Sequence, residues 1–107
     1  MATALLNKRS KPAAATPASL YTVPSGTSTV LSNIICCNQS TETTVKIAVR
    51  PLGVSVTADH YIVSGTTIND NDVLEIGRGI TLNATDIVEV LSDSGNVSFN
   101  LFGEETT

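Results

Sequence analysis

The sequence predicts an all-β fold: one antiparallel β-sandwich or jelly roll of about seven to eight strands, preceded by an extended N-terminal arm. Three observations lead there. Val, Ile and Thr dominate the 107 residues, while Trp is absent and aromatics make up 4%. Such β-branched side chains are stiff at χ1 and suit a pleated surface better than a helix. Short apolar runs recur about every ten residues, divided by clusters of Gly, Pro, Asn, Asp and Ser that favour turns. No stretch repeats its apolar residues at helical spacing.

Each element follows from its own residues. Residues 1–18 read as the arm: Pro12 and Pro17 bracket Ala13–Thr16 and keep them extended, and a short helical turn around Ala2–Leu6 would have no cap. Residues 19–107 form the sandwich domain. Leu20–Val23 is its first strand, closed by a Pro24-Ser25-Gly26 turn. Thr29–Asn38 is a long apolar strand, and Gln39–Glu42 turns the chain. Thr43–Arg50 alternates, with Val45, Ile47 and Val49 inward and Thr44, Lys46 and Arg50 outward. Pro51 ends it, because proline cannot donate to a ladder. Residues 51–59 connect to Tyr61–Val63, and Ser64–Asn69 reads as strand or extended loop. Asn69-Asp70-Asn71 leads into a short strand over Asp72–Gly77, and Gly77-Arg78-Gly79 turns into Ile80–Leu82. Asp86–Leu91 and Asn96–Phe102 form a final hairpin through Ser92–Gly95. The expected core is Leu20, Val30, Ile34, Cys36, Val45, Ile47, Val49, Tyr61, Val63, Leu74, Ile76, Val88, Val90, Val97, Phe99 and Leu101.

Charge divides the chain in the same place. Six basic and ten acidic residues give a net charge of −4, and Lys8, Arg9 and Lys11 are half of the basic ones. Every acidic residue lies from Glu42 onward, so residues 1–18 carry +3 and the remainder −7. A basic arm on an acidic body suits contact with an acidic surface, another copy of the body included. The plainer alternative is a solubilising tail. The opening residues lack a signal-peptide apolar segment, and no apolar run is long enough to span a membrane. Cys36 and Cys37 point to opposite faces of a strand, and are expected as free thiols in a reducing cytosol.

Catalytic signatures do not emerge. His60 beside Asp59 has no serine on a nucleophile elbow, and reads as a histidine hydrogen-bonded at the mouth of a strand. Asn69-Asp70-Asn71-Asp72 lacks the glycine and closing glutamate of a calcium loop, and reads as an Asx-capped turn. Cys and His spacings do not suit zinc, and Gly77-Arg78-Gly79 is no phosphate loop. Lys8-Arg9-Ser10-Lys11 could touch phosphate, but the acidic body has no aromatic stacking platform, so nucleic acid is not expected. Few aromatics remain for sugar faces. The glycosylation patterns at Asn38, Asn83 and Asn96 read as chance matches. The expectation is a chain that is not an enzyme, with no cofactor, no metal and no membrane partner.

Several stretches together resemble small structural proteins of tailed bacteriophages. They are Leu20-Tyr21-Thr22-Val23-Pro24 with Gly26, Cys37-Asn38-Gln39-Ser40, Thr44–Val49, Asp59-His60-Tyr61-Ile62, Ile80-Thr81-Leu82, Asp86–Val90 and Val97–Gly103, with Lys11–Thr16 as a leader. The resemblance covers nearly the whole chain and lies in strand and turn patterns. It implies a virion component assembled in the host bacterial cytoplasm, foremost a decoration or cement protein of the head. Neck, tail or fibre placement, and a receptor- or glycan-binding module, are the alternatives. Its partners would be other copies of itself and other virion proteins, the major capsid protein or tail and neck proteins. A homo-oligomer is expected, with a trimer as the working assumption. The interaction arm would comprise Leu5, Leu6, Lys8, Arg9, Lys11 and Pro12, docking by strand addition on a neighbouring subunit's sheet edge.

Overall fold

Alternating β-branched residues give nine strands in the computed structural model, which describes residues 2–77 and 79–107. They are β1 (Thr3–Ser10), β2 (Ala18–Thr22), β3 (Ser28–Asn38), β4 (Thr43–Arg50), β5 (Tyr61–Ile68), β6 (Val73–Ile76), β7 (Ile80–Leu82), β8 (Ile87–Ser92) and β9 (Val97–Thr106). One sheet runs β1-β9-β3-β6, with β7 also on β3, and the other runs β2-β8-β4-β5. All pairings are antiparallel. Strands β6 and β7 share one side of β3 end to end and act as one interrupted strand. The pairs β4:β5, β3:β6/β7, β2:β8 and β1:β9 then nest inside one another, which is the winding of a jelly roll. The expected β-sandwich or jelly roll is what the chain forms.

Between the sheets lies one core. Phe99, Leu31, Ile34, Ile47, Leu82 and Leu101 are its largest fully buried side chains, each worth roughly 1.5–3 kcal/mol by burial. Turn chemistry sets the strand ends. Gly26 sits at φ +75° while Thr27 N donates to Pro24 O at 3.2 Å, a turn that requires positive φ at its third residue. Asn38, fully buried, donates through its amide to the carbonyls of Thr41, Ile68 and Asn69 at 2.8–3.2 Å. Its Oδ1 accepts from Ser40 N at 3.2 Å, so the amide is satisfied and ties three segments together. Tyr21 links the sheets: its hydroxyl meets Thr29 Oγ1 on β3 at 2.9 Å and donates to Glu105 on β9.

Four expectations change. Residues 3–10 are not a free arm but the first strand of the jelly roll, paired with β9 from Thr3↔Thr106 to Ser10↔Phe99 without a break in register. Without β1, β9 would leave an open edge beside the core, and Leu6 turns inward to cover it. No helical turn forms at Ala2–Leu6, and Ala13–Thr16 are not extended as expected but close a turn, with Ala15 at φ +53° and Thr16 N donating to Ala13 O. Second, β8 and β9 are not a hairpin; they lie in opposite sheets, so Ser92–Gly95 is an arch across the sandwich. Both strands carry inward apolar residues, and alternation cannot say to which sheet a strand belongs. Third, Val30 is 52% exposed because Thr29 and Leu31 take the inward positions, and a bulge between Leu31 and Asn33 restores Ile34 to the core. Fourth, Tyr61 is half-buried opposite Ala48, on the outer side of the second sheet, with Lys46 Nζ 5.6 Å from its ring centre. Leu6, Tyr21, Val23, Leu31, Ile68 and Leu82 join the core instead. The turn expected at Gly77-Arg78-Gly79 has its central residue outside the described residues.

Candidate interaction surface

His60, Asp59 and the Asn69–Asp72 segment make hydrogen bonds within the chain. His60 Nδ1 accepts from Thr57 N at 3.1 Å, and Asp59 accepts from the Thr57 hydroxyl, closing a short 3₁₀ turn over Ala58–His60. That hydroxyl hydrogen bond holds the Asp59 carboxyl below its usual pKa. Asp70 Oδ1 accepts from Glu42 N at 2.7 Å, and Asp72 Oδ1 from Val73 N at 2.8 Å, with Asn71 at φ +53° between them. The first contact ties this turn to the β3–β4 turn and the second is local, so the aspartates hold backbone amides but do not form the expected Asx turn, which bonds the amide two residues on. No group of three or more potential metal ligands is found among the described residues. Cys36 and Cys37 are free thiols, and burial pushes Cys36 up to about 12. Burial, then its bond to Glu105, likewise raises Tyr21 to about 12.

The residues expected on the arm separate into two sets. Leu6 is buried at 7% exposure and Pro12 is buried too, so both belong to the body. Leu5 is 90% exposed, and Lys8, Arg9 and Lys11 are exposed. The ion pair found among the described residues is Arg50–Glu89 at 3.4 Å, in the second sheet. Among the described residues, the basic residues of β1 therefore have no ion-pair partner, and the outer backbone edge of this eight-residue strand bonds to no other strand.

Behind that edge lies the outer face of the first sheet. Cross-strand register places Leu5, Glu104 and Val30 in one row, Asn7, Phe102 and Asn33 in the next, and Arg9, Asn100, Ile35 and Glu75 in a third. The face is mixed in character, with Arg9 at the β1 side and Glu75 at the β6 side. A second exposed apolar group is the β4–β5 connection, where Leu52, Val54 and Val56 are 73%, 48% and 37% exposed. Its base is held firmly. Arg50 Nη1 donates to Val54 O at 3.0 Å, and Asp86 Oδ1 accepts from Leu52 N at 3.1 Å. Leu52 is kept at φ +53°, a conformation costly for a branched side chain. In sequence this loop looks like a plain connection, and its one signal as a surface is the apolar Leu-Gly-Val-Ser-Val run at residues 52–56. An open depression of about 560 Å³ lies between β1 and β2 and is lined by Leu6, Lys8, Tyr21 and Glu105 among others. In its wall the Tyr21 hydroxyl donates to Glu105.

The chain matches no protein-family model and no curated protein. Its fold does have a counterpart in a solved structure: a chain of the acidic stable capsid structure of Helicobacter pylori bacteriophage KHP30. The superposition has a TM-score of 0.56 and covers 98% of this chain and 87% of that one, at 14% sequence identity. At such identity the likeness is one of fold. It extends over the jelly roll from end to end, β1 included.

Proposed function

We propose that this chain is a non-catalytic structural protein of a bacteriophage particle, acting as a decoration or cement protein on the head. The observation that carries the reading is the agreement of fold, over 98% of the chain, with a chain from a bacteriophage capsid structure. The surface supports it. An outer sheet face of mixed character, a basic edge strand and an exposed apolar loop are features for contact with proteins. In this reading the partners are other copies and the surrounding capsid proteins, and the site of action is the virion.

The test is to add the purified, fluorescently labelled chain to phage particles lacking it, then to sediment and image them. Saturable binding distributed over the head is expected. Charge reversal by Lys8→Glu with Arg9→Glu, which leaves the core untouched, weakens that binding and its dependence on salt. Label confined to neck, tail or fibres would replace the head assignment, and no association with particles would overturn the reading.

A further inference from the structure

We infer that β1 is an exchangeable strand: in the assembled protein, residues 3–12 of one copy leave their own sheet and pair with β9 of a second copy. This inference does not rest on the proposed function, and would hold for any protein with this structure. Three observations carry it.

The first is how the segment is held. Of the eight residues of β1, Leu6 alone is buried, and Pro12 just beyond it is the segment's other anchor. The remaining attachment is the ladder to β9. A second copy offers the same ladder and the same two pockets, so exchange replaces every contact by an identical one.

The second is the connection. Residues 13–17, Ala-Ala-Ala-Thr-Pro, are all exposed. The chain reverses there through Ala15 at φ +53°, while Thr16 N donates to Ala13 O at 3.2 Å. A left-handed alanine is disfavoured by about five- to thirtyfold against an extended one. Pro17 further biases Thr16 toward extended backbone. The hinge's backbone holds the body by a hydrogen bond from Ala15 N to Ser92 O at 2.8 Å. Opening Ala15 relaxes the corner, and five extended residues span about 17 Å. That reaches beyond the ~10 Å between packed sheets that the closed hinge must cross.

The third is charge. Lys8, Arg9 and Lys11 have no ion-pair partner among the described residues, although the rest of the chain carries −7. A strand passed to a neighbour lays those charges between two acidic bodies.

A disulfide trap decides the matter. Arg9 and Asn100 are directly opposed across β1 and β9, and opposed residues in an antiparallel pair have Cα atoms at bridging distance. Arg9→Cys with Asn100→Cys, in a Cys37→Ser background that removes the half-exposed thiol, is refolded at high concentration, oxidised and run on a denaturing, non-reducing gel. Covalent dimers or higher closed species are expected. A band at monomer mass alone, its thiols consumed, would show each β1 on its own β9 and overturn the inference. Two hinge variants act in opposite directions. Ala15→Gly, at ease in the left-handed corner, raises the ratio of closed monomer to oligomer about fivefold. Deleting Ala13–Ala15 leaves too little chain to close, and yields a folded oligomer. A folded monomer after that deletion would also overturn the inference.

Discussion

Strands β1 and β9 lie side by side in the same sheet, joined by an unbroken antiparallel ladder, yet they are held in different ways. Strand β9 is flanked by β1 and β3 and sends Val97, Phe99 and Leu101 into the core at 0% exposure. Strand β1 has a neighbour on one side and buries one side chain. The comparison separates two contributions to a β-sheet. Ladder hydrogen bonds exchange for bonds to water, and each nets only about 1 kcal/mol. Burial of apolar side chains decides which strands are fixed. A strand with a full ladder and one buried residue has its place specified but its attachment weak.

The largest expected effect is on the β9 side. Phe99→Ala should cost about 3–5 kcal/mol in chemical denaturation, as truncation of a fully buried aromatic does. Gly103→Ala comes next. A Cβ there would lie 2.9 Å from Leu31 Cα and closer still to the Val30 carbonyl, so β3 and β9 would have to separate. A loss of about 1–3 kcal/mol is expected, the range for overpacking. On the β1 side, Leu6→Ala should cost about 2 kcal/mol and hasten amide exchange in residues 3–10 while leaving β3 protected. If Leu6→Ala cost as much as Phe99→Ala, the contrast between the strands would fail.

Tyr21 gives a prediction in pH. Its folded pKa of about 12 lies above the ordinary 10.0, so the neutral phenol is favoured in the folded state. Its contribution is complete below pH 10 and is lost as pH rises through 12. Stability should fall across that window, and the fall should be shallower in Tyr21→Phe, measured by denaturation at fixed pH alongside ultraviolet titration of the phenolate. The smallest effect belongs to Leu5, at 90% exposure. Leu5→Ser should leave stability within about 0.5 kcal/mol while weakening binding to particles in the sedimentation assay.

What the sequence disclosed, and what it hid, follows the same division. Strand β4 was legible because Val45 and Ile47 alternate with Thr44 and Lys46 at the period of a half-buried strand. The turns at Pro24–Gly26 and Asn69–Asn71 were legible from residues suited to them. Register was not: Val30 and Leu31 are equally apolar, and a bulge decides which of them is buried. Neither was sheet assignment, since the arch at Ser92–Gly95 looks like a hairpin turn. In sequence, β1 has the features of an arm, its charges and the prolines after it. That Leu6 and Pro12 anchor it depends on the shape of the core around them. The interaction residues were only partly visible, because exposure of Leu5, Leu52 or Val73 is a property of the fold and not of local sequence.

The most direct test of this account is hydrogen exchange across the folded protein, comparing the amides of residues 3–10 with those of β3 around Leu31, Ile34 and Cys36. A strand held by its ladder and one buried side chain opens without unfolding the rest. Exchange in β1 at least about a hundredfold faster than in β3 is therefore the expected result. Equal protection of the two strands would mean that β1 opens only with the whole domain, and would contradict both the contrast with β9 and the exchange of β1 between copies.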